Sequence, residues 1–327
     1  MYLINPHANP AKMAVRRASH SGTWYNESAK ELSNQLENWL GAAELTHGPA
    51  RAIIAPFICY IHSFSIPSIN LMKSLFYRHA GYQYCGACAA FAYRQISPFV
   101  VQRIFILGPS HNVRLSGCAL SSAVKYRTPF YDLQIDNEVY EELESTGHFE
   151  RMSMKVDEDE HSIEMQLPYI AKVMQDYKDK FTIVPVMVGS LSTEKESLYG
   201  HIFSQYLADP KNLFIISSDF CHWGQRFRYT FYEKSWGEIH QSITTLDHKL
   251  FGMDIIETLK PAAFVEYLKT FSNTICGRHP ISVLLQAANH LRTQKLSLKF
   301  LKYAQSSKCY NLGDSSVSYA SASLIIE

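Results

Sequence analysis

The chain has 327 residues, 46% of them hydrophobic, enough for one large α/β domain or two ordinary ones with sizeable cores. Lys+Arg 31 against Asp+Glu 30 leaves a formal net charge of +1. That balance excludes the basic excess or stripe of a nucleic-acid-binding surface.

No stretch of about 20 uninterrupted apolar residues occurs, so no transmembrane helix is expected. The polar, basic start lacks the apolar core of a secretory signal. Seven cysteines, an odd count scattered along the chain, read as reduced thiols in a cytoplasmic or nuclear compartment. The 20 tyrosines fit either the rim of a large core or an aromatic-lined pocket.

In chain order, residues 1–17 contain Asn5-Pro6 and Asn9-Pro10 without amphipathic period and read as a flexible N-terminal arm. The domain proper then covers 18–327. Asn26 or Ser28 caps a helix carrying Leu32, Leu36, Trp39 and Leu40 at helical spacing. Residues 52–55 form a short buried strand. Residues 86–95 read as a helix, 104–107 as a strand, and 118–126 and 132–135 as half-buried strands around Thr128-Pro129. Helices are expected at 137–145, 162–174 and 193–207, with buried strands at 181–188 and 213–216. A long helix over 233–251, another starting at Pro261 and a third at 280–291 precede strands at 298–304 and 317–326. This alternation predicts a single α/β domain with a central mixed or largely parallel sheet flanked by helices.

Several apolar runs break off into small, turn-forming residues followed by a potential metal ligand. The run from Ile104 to Leu107 leads through Gly108-Pro109-Ser110 to His111. The run from Leu213 to Ile216 leads through Ser217-Ser218 to Asp219, Cys221 and His222. The carboxyl ends of strands in an open α/β sheet form the ligand crevice, so such residues converge. Cys276, in the loop Cys276-Gly277-Arg278-His279-Pro280 before a helix, is a thiolate ligand or a buried small side chain. Arg278 beside it, and Arg226, suit an anion. Cys85 and Cys88 have redox or zinc spacing but no second pair. The acidic run 157–160 reads as a solvated loop. It leads to His161 and Glu164, three apart on one helix face, a ligand set or an outer pair supporting one. No phosphate loop, nucleophile elbow or nucleotide fingerprint is present.

The motifs from Arg17 to Tyr25, Ile106 to His111, Asp157 to Met165, Ser217 to Phe227, Asn273 to Pro280 and Tyr303 to Ser307 resemble the Memo family, mediators of ErbB2-driven cell motility. The resemblance covers nearly all of the chain after the arm. It implies a fold similar to class III extradiol dioxygenases and a copper or iron site. It implies His79, His111 and Cys276 as metal ligands, with Asp219 and His222 adjacent. Its further implications are cell migration, microtubule and Rho-type GTPase signalling, control of reactive oxygen species through the NADPH oxidase pathway, and binding of receptor phosphotyrosine peptides.

Two imidazoles and a thiolate suit copper, iron or zinc better than magnesium or calcium, and they differ from the two-histidine, one-carboxylate set of ring-cleaving iron enzymes. A redox-linked signalling protein without catechol turnover is therefore expected. Two rivals stay open: a metal-dependent oxidoreductase using His222 or His161 as acid or base, and a phosphotyrosine-peptide adaptor with a vestigial pocket.

One segment departs from the family. Residues 57–78 separate Ala55-Pro56 from His79-Ala80-Gly81-Tyr82, where the family runs straight from proline to histidine. The ends of this insert are compatible with a retained in-frame intron or with a variant loop. The expectation is that 57–78 loops out of the fold and His79 returns to the crevice.

Overall fold

The computed structural model describes residues 14–57, 80–248, 251–291 and 293–327. Its strands are β1 (Val15–Arg16), β2 (Ala52–Ala55), β3 (Arg103–Pro109), β4 (Cys118–Leu120), β5 (Lys125–Tyr126), β6 (Leu133–Gln134), β7 (Phe149–Arg151), β8 (Thr182–Val188), β9 (Asn212–Ser217), β10 (His222–Trp223), β11 (Leu296–Gln305) and β12 (Ser316–Ile326).

The four apolar runs β2, β9, β3 and β8 lie side by side and parallel, Ala55 level with Ser217 and Leu107 level with Ile216. Both faces of these strands are covered, so they are apolar nearly throughout rather than alternating. Around them β12 joins β2 antiparallel, β10 and β11 pair with β12, and β4 closes the other side against β8 with β7 beyond it. A large mixed sheet flanked by helices is thus the architecture, as its alternating pattern predicts.

Helix Ala80–Tyr93 packs on β2, β11 and β12, with Ala29–Ala42 outside it. Helices Thr193–Ala208 and Arg278–His290 pack on each other and on β9. The capping serine of Ala29–Ala42 is Ser28, which accepts from the Glu31 N–H, and Leu32 and Leu36 are the buried face. Among the described residues no helix is long and apolar enough to cross a membrane.

Four expectations need correction. The strand expected over 118–126 is two, β4 and β5, which belong to different sheets. The helix expected at 86–95 is Ala80–Tyr93: its run of glycine, alanine and cysteine hides the periodicity but lets it approach the sheet. The helix expected over 233–251 does not form. A turn at Lys234–Trp236 precedes helix Ile239–Asp247, capped by reciprocal Glu238 and Gln241 bonds, and helix Gly252–Glu257 follows separately. The helix expected over 162–174 is regular only at Leu167–Val173, after a tighter turn at Glu164–Gln166.

Of the expected arm, residues 1–13 lie outside the described residues, and 14–17 are held in place. Val15–Arg16 pairs with β5, and Arg16 is fully buried. Its Nε meets Asp157 Oδ1 at 2.8 Å and its Nη1 meets Glu164 Oε2 at 2.6 Å, while Nη2 donates to the carbonyls of Asp157 and Glu160. The acidic run is accordingly not a solvated loop. Asp157 and Glu160 are buried, and only Glu158 and Asp159 of the four take exposed partners, Arg17 and Lys155.

Candidate metal centre

The parallel strands deliver their following residues to one edge. Phe57, His111 and Asp219 each stand two residues past the assigned end of β2, β3 and β9. Among the described residues, potential ligand atoms there fall into two groups, His111 with Glu160 and His161, and Asp219 with His222 and Cys276. Within each group they lie within 4.8 Å of one another. His79, implied as a ligand by the family resemblance, lies outside the described residues, as do 58–78.

In the first group Glu160 is the organiser. Its carboxylate accepts from the His111 N–H at 2.7 Å, from His111 Nδ1 at 2.9 Å, and from the backbone N–H groups of His161 and Ser162. Burial opposes its charge, but the hydrogen bond and charge of His111, with the charge of His161, hold it well below the usual carboxylate range. The His111 and His161 rings stack with centroids 4.7 Å apart. His161 also lies against Trp24, at 4.7 Å, and its buried Nε2 has no hydrogen-bond partner among the described residues. A buried imidazole nitrogen left unsatisfied is costly, and one that faces a ligand site is a natural donor to a ligand.

Glu164, expected as an outer partner of the site, works elsewhere. It accepts from Arg16, Tyr25 OH and the His20 N–H and Nδ1. It fastens the N-terminal segment to the turn that carries His161.

The second group is built from two loops. Cys276 Sγ accepts from the Asp219 N–H at 3.1 Å. His222 Nδ1 lies 2.9 Å from Phe220 O and 3.0 Å from Thr274 O. Two carbonyls at Nδ1 require the proton there and leave the Nε2 lone pair for coordination. The Thr274 hydroxyl and His222 backbone exchange two further hydrogen bonds. Gly277 is required by close approach, since a Cβ there would lie 2.4 Å from Ser218 Cβ.

Asp247 and Asn273 secure the same loop. Asp247 is fully buried and accepts from Asn273 Nδ2 at 2.9 Å and Tyr303 OH at 3.0 Å. Burial pushes its carboxyl up to about 6, against the hydrogen bonds from Ser318, Asn273 and Tyr303. A carboxyl raised above its unfolded value of 3.8 favours folding fully below that pH, and the benefit is lost as pH rises through 6. The loss amounts to roughly 3 kcal/mol. Asp247→Asn should therefore flatten the decline in stability between pH 4 and 7, measured by urea denaturation. An unchanged decline would show that another group causes it.

Asp219, His222 and Cys276 are thus brought together, and His111, grouped with Glu160 and His161, lines the same cleft as Cys276. Cys221 is not part of either group: it is buried in the core, which pushes its thiol well above the ordinary range. A cleft of about 260 Å³ runs past His111, Ser190, Thr274, Cys276, Arg278 and His279. Exposed Arg278 stands at its wall, whereas Arg226 lies over the Phe227 ring. Cys85 and Cys88 are buried, and burial pushes the Cys88 thiol up to about 12.

The expectation that 57–78 loops out fails at its first residue. Phe57 is fully buried, its N–H donates to Asp219 Oδ1 at 2.9 Å, and its ring lies 5.6 Å from His111 and 5.4 Å from His161. Continuing β2 inward hides the ring, worth about 1.5–3 kcal/mol, where an excursion would expose it. Sequence reasoning also missed Glu160. The spacing of Asp157, Glu160 and Glu164 along one helical face was the available signal.

A mixed α/β domain whose parallel strands gather a thiol, imidazoles and carboxylates at one edge is the class these features define. The Memo-like protein family matches residues 16–323. The chain is 57% identical over 317 residues to Protein MEMO1 of Danio rerio and 56% identical over 317 residues to Protein MEMO1 of Homo sapiens. Each alignment covers 96% of this chain and 99% of the relative. It is 49% identical over 316 residues to the Protein memo-1 homolog of Caenorhabditis elegans, covering 95% of this chain and 83% of that one. The chain belongs to the Memo family.

Proposed function

We propose that this chain is a metal-binding, redox-linked signalling protein that holds one copper or iron ion through Asp219, His222 and Cys276. The observation that carries this is the meeting of those three donors where the segment after β9 faces the loop before helix Arg278–His290, with His222 fixed in the tautomer that offers Nε2. A thiol, an imidazole and a carboxylate suit a first-row transition metal, and a bound copper or iron ion supplies one-electron chemistry. The chain's own residues do the rest. Thr274 orients His222, the Asp219 N–H points at the sulfur, and the Phe57 N–H holds Asp219 Oδ1.

The cellular reading rests on family membership. It comprises cell migration, microtubule and Rho-type GTPase signalling, and control of reactive oxygen species with the NADPH oxidase pathway, in the cytoplasm. Arg278 at the cleft wall supports a second reading, an adaptor that takes the phosphate of a receptor phosphotyrosine peptide.

Titration of the full chain with copper(I) and with iron(II) should give one ion per chain. His222→Ala should weaken binding by more than about tenfold, since even outer-shell partners of a metal cost 10–100-fold. Binding that His222→Ala leaves unchanged would remove this site from the proposal. Oxygen uptake with a catechol, abolished by His111→Ala, would favour the oxidoreductase reading instead.

A further inference from the structure

We infer that His201 and His290 form a second metal site, on the outer surface of the helical layer, that takes copper(II) through two imidazoles. Neither residue belongs to the donor groups at the strand ends, so the inference stands apart from the metal reading above.

The helix pair creates the site. Helices Thr193–Ala208 and Arg278–His290 pack on each other, and their approach is closest to a clash at Gly200. A Cβ there would lie 2.3 Å from Gln286 Cβ and 3.0 Å from the Ala287 backbone nitrogen, so a residue with a side chain would force the helices apart. His201 follows Gly200 in the chain, and His290 stands one turn beyond Gln286, on the same face of its helix. The buried contact at Gly200 therefore sets both imidazoles along its outer rim, where both are exposed. Their ring centroids are 5.0 Å apart, with the planes at 60°.

That separation suits one shared ion. An imidazole nitrogen binds a first-row divalent ion at roughly 2.0–2.1 Å, which puts each ring centroid about 3.2 Å from the metal and two neighbouring ligand rings about 4.5–5.2 Å apart, for angles from right to tetrahedral. The donors are also uncommitted. His20, His111, His240, His248 and His279 each face a carboxylate, whereas among the described residues His201 and His290 face only each other. His290 ends its helix, where the free carbonyls of the last turn favour a cation. Imidazole is a ligand for copper, nickel and zinc, and copper(II) heads the affinity order of the divalent series. Two rings on packed helices lose little freedom on binding, and water completes the coordination.

Copper(II) alone, titrated into the full chain, tests this by electron paramagnetic resonance and by competition with a chelator. The expected result is an axial copper(II) signal with nitrogen splittings whose affinity falls by more than about tenfold in His201→Ala and equally in His290→Ala, since even an outer-shell partner costs 10–100-fold. Both side chains are exposed, so neither substitution should move the melting temperature of the apo chain. His148→Ala, at an exposed histidine elsewhere, should leave the signal unchanged and controls for scattered binding. The signal should persist in Cys276→Ser, which separates it from an ion in the crevice.

The inference is overturned if His201→Ala or His290→Ala leaves copper(II) affinity and spectrum as in the wild type, because an ion held by one of them is not held by the pair. It is equally overturned if the signal that responds to them is lost in Cys276→Ser. Failure of the crevice to bind metal, with the paired-histidine signal intact, would remove the metal reading of the crevice and support this site.

Discussion

Arg16→Ala is expected to destabilise the chain by about 3–5 kcal/mol, the cost of leaving buried carboxylates without their cation. Every N–H of this guanidinium is committed. It binds the side chain and carbonyl of Asp157, the carbonyls of Arg17 and Glu160, and the side chain of Glu164. Lysine cannot replace this fork, having three donors on a single nitrogen. Arg17→Ala is the control, because its partner Glu158 is met from an exposed side chain, and it should leave the urea midpoint nearly unchanged. An Arg16→Ala midpoint equal to that of Arg17→Ala would show that the buried pair is not holding the N-terminal segment.

The same network makes a pH prediction. Burial opposes ionisation of Glu164, but the charge of Arg16 and the bonds from His20 hold its carboxyl down at about 2, from 4.5. A depressed carboxyl contributes stability present above the unfolded value and lost as pH falls through the folded one. The contribution is roughly 3 kcal/mol at neutral pH. The stability gap between wild type and Glu164→Gln should thus narrow between pH 4.5 and 2. A constant gap across that window would contradict the depressed carboxyl.

Cys276→Ser is expected to weaken copper(I) binding by more than about 100-fold, the upper end of what loss of a mere outer-shell partner costs. Soft thiolate is the ligand that selects copper(I), and a serine hydroxyl is hard and remains protonated. Folding should change little, because Cys276 is only partly buried and Gly277, the neighbour whose missing Cβ permits the close approach to Ser218, is kept. Competition with a chromophoric copper(I) chelator measures the affinity, and a melting curve of the apo chain measures the fold. Equal affinities would take Cys276 out of the site. A large fall in apo stability would instead assign the cysteine to packing.

The strand ends that carry His111, Asp219 and His222 were legible because a buried parallel strand is a short apolar run, and the chain marks its end with Gly108-Pro109 and Ser217-Ser218. Cys276 and Arg278 were legible from their loop-then-helix setting. The Memo motifs were legible as strings. Glu160 was hidden because four consecutive acidic residues look solvated, and nothing local says that Arg16, more than a hundred residues away, neutralises two of their neighbourhood's carboxylates.

By itself, then, the sequence determined the alternating α/β pattern, the parallel centre of the sheet and the identity of most candidate ligands, since these depend on periodicity and on turn chemistry within a few residues. Only the tertiary structure decided that the described ligands gather as His111 with Glu160 and His161 and as Asp219 with His222 and Cys276, that Arg16 belongs to the core and that Phe57 packs on His111 and His161. Those outcomes depend on which side chains meet across distant strands, where desolvation and the pairing of buried charge outweigh any local preference.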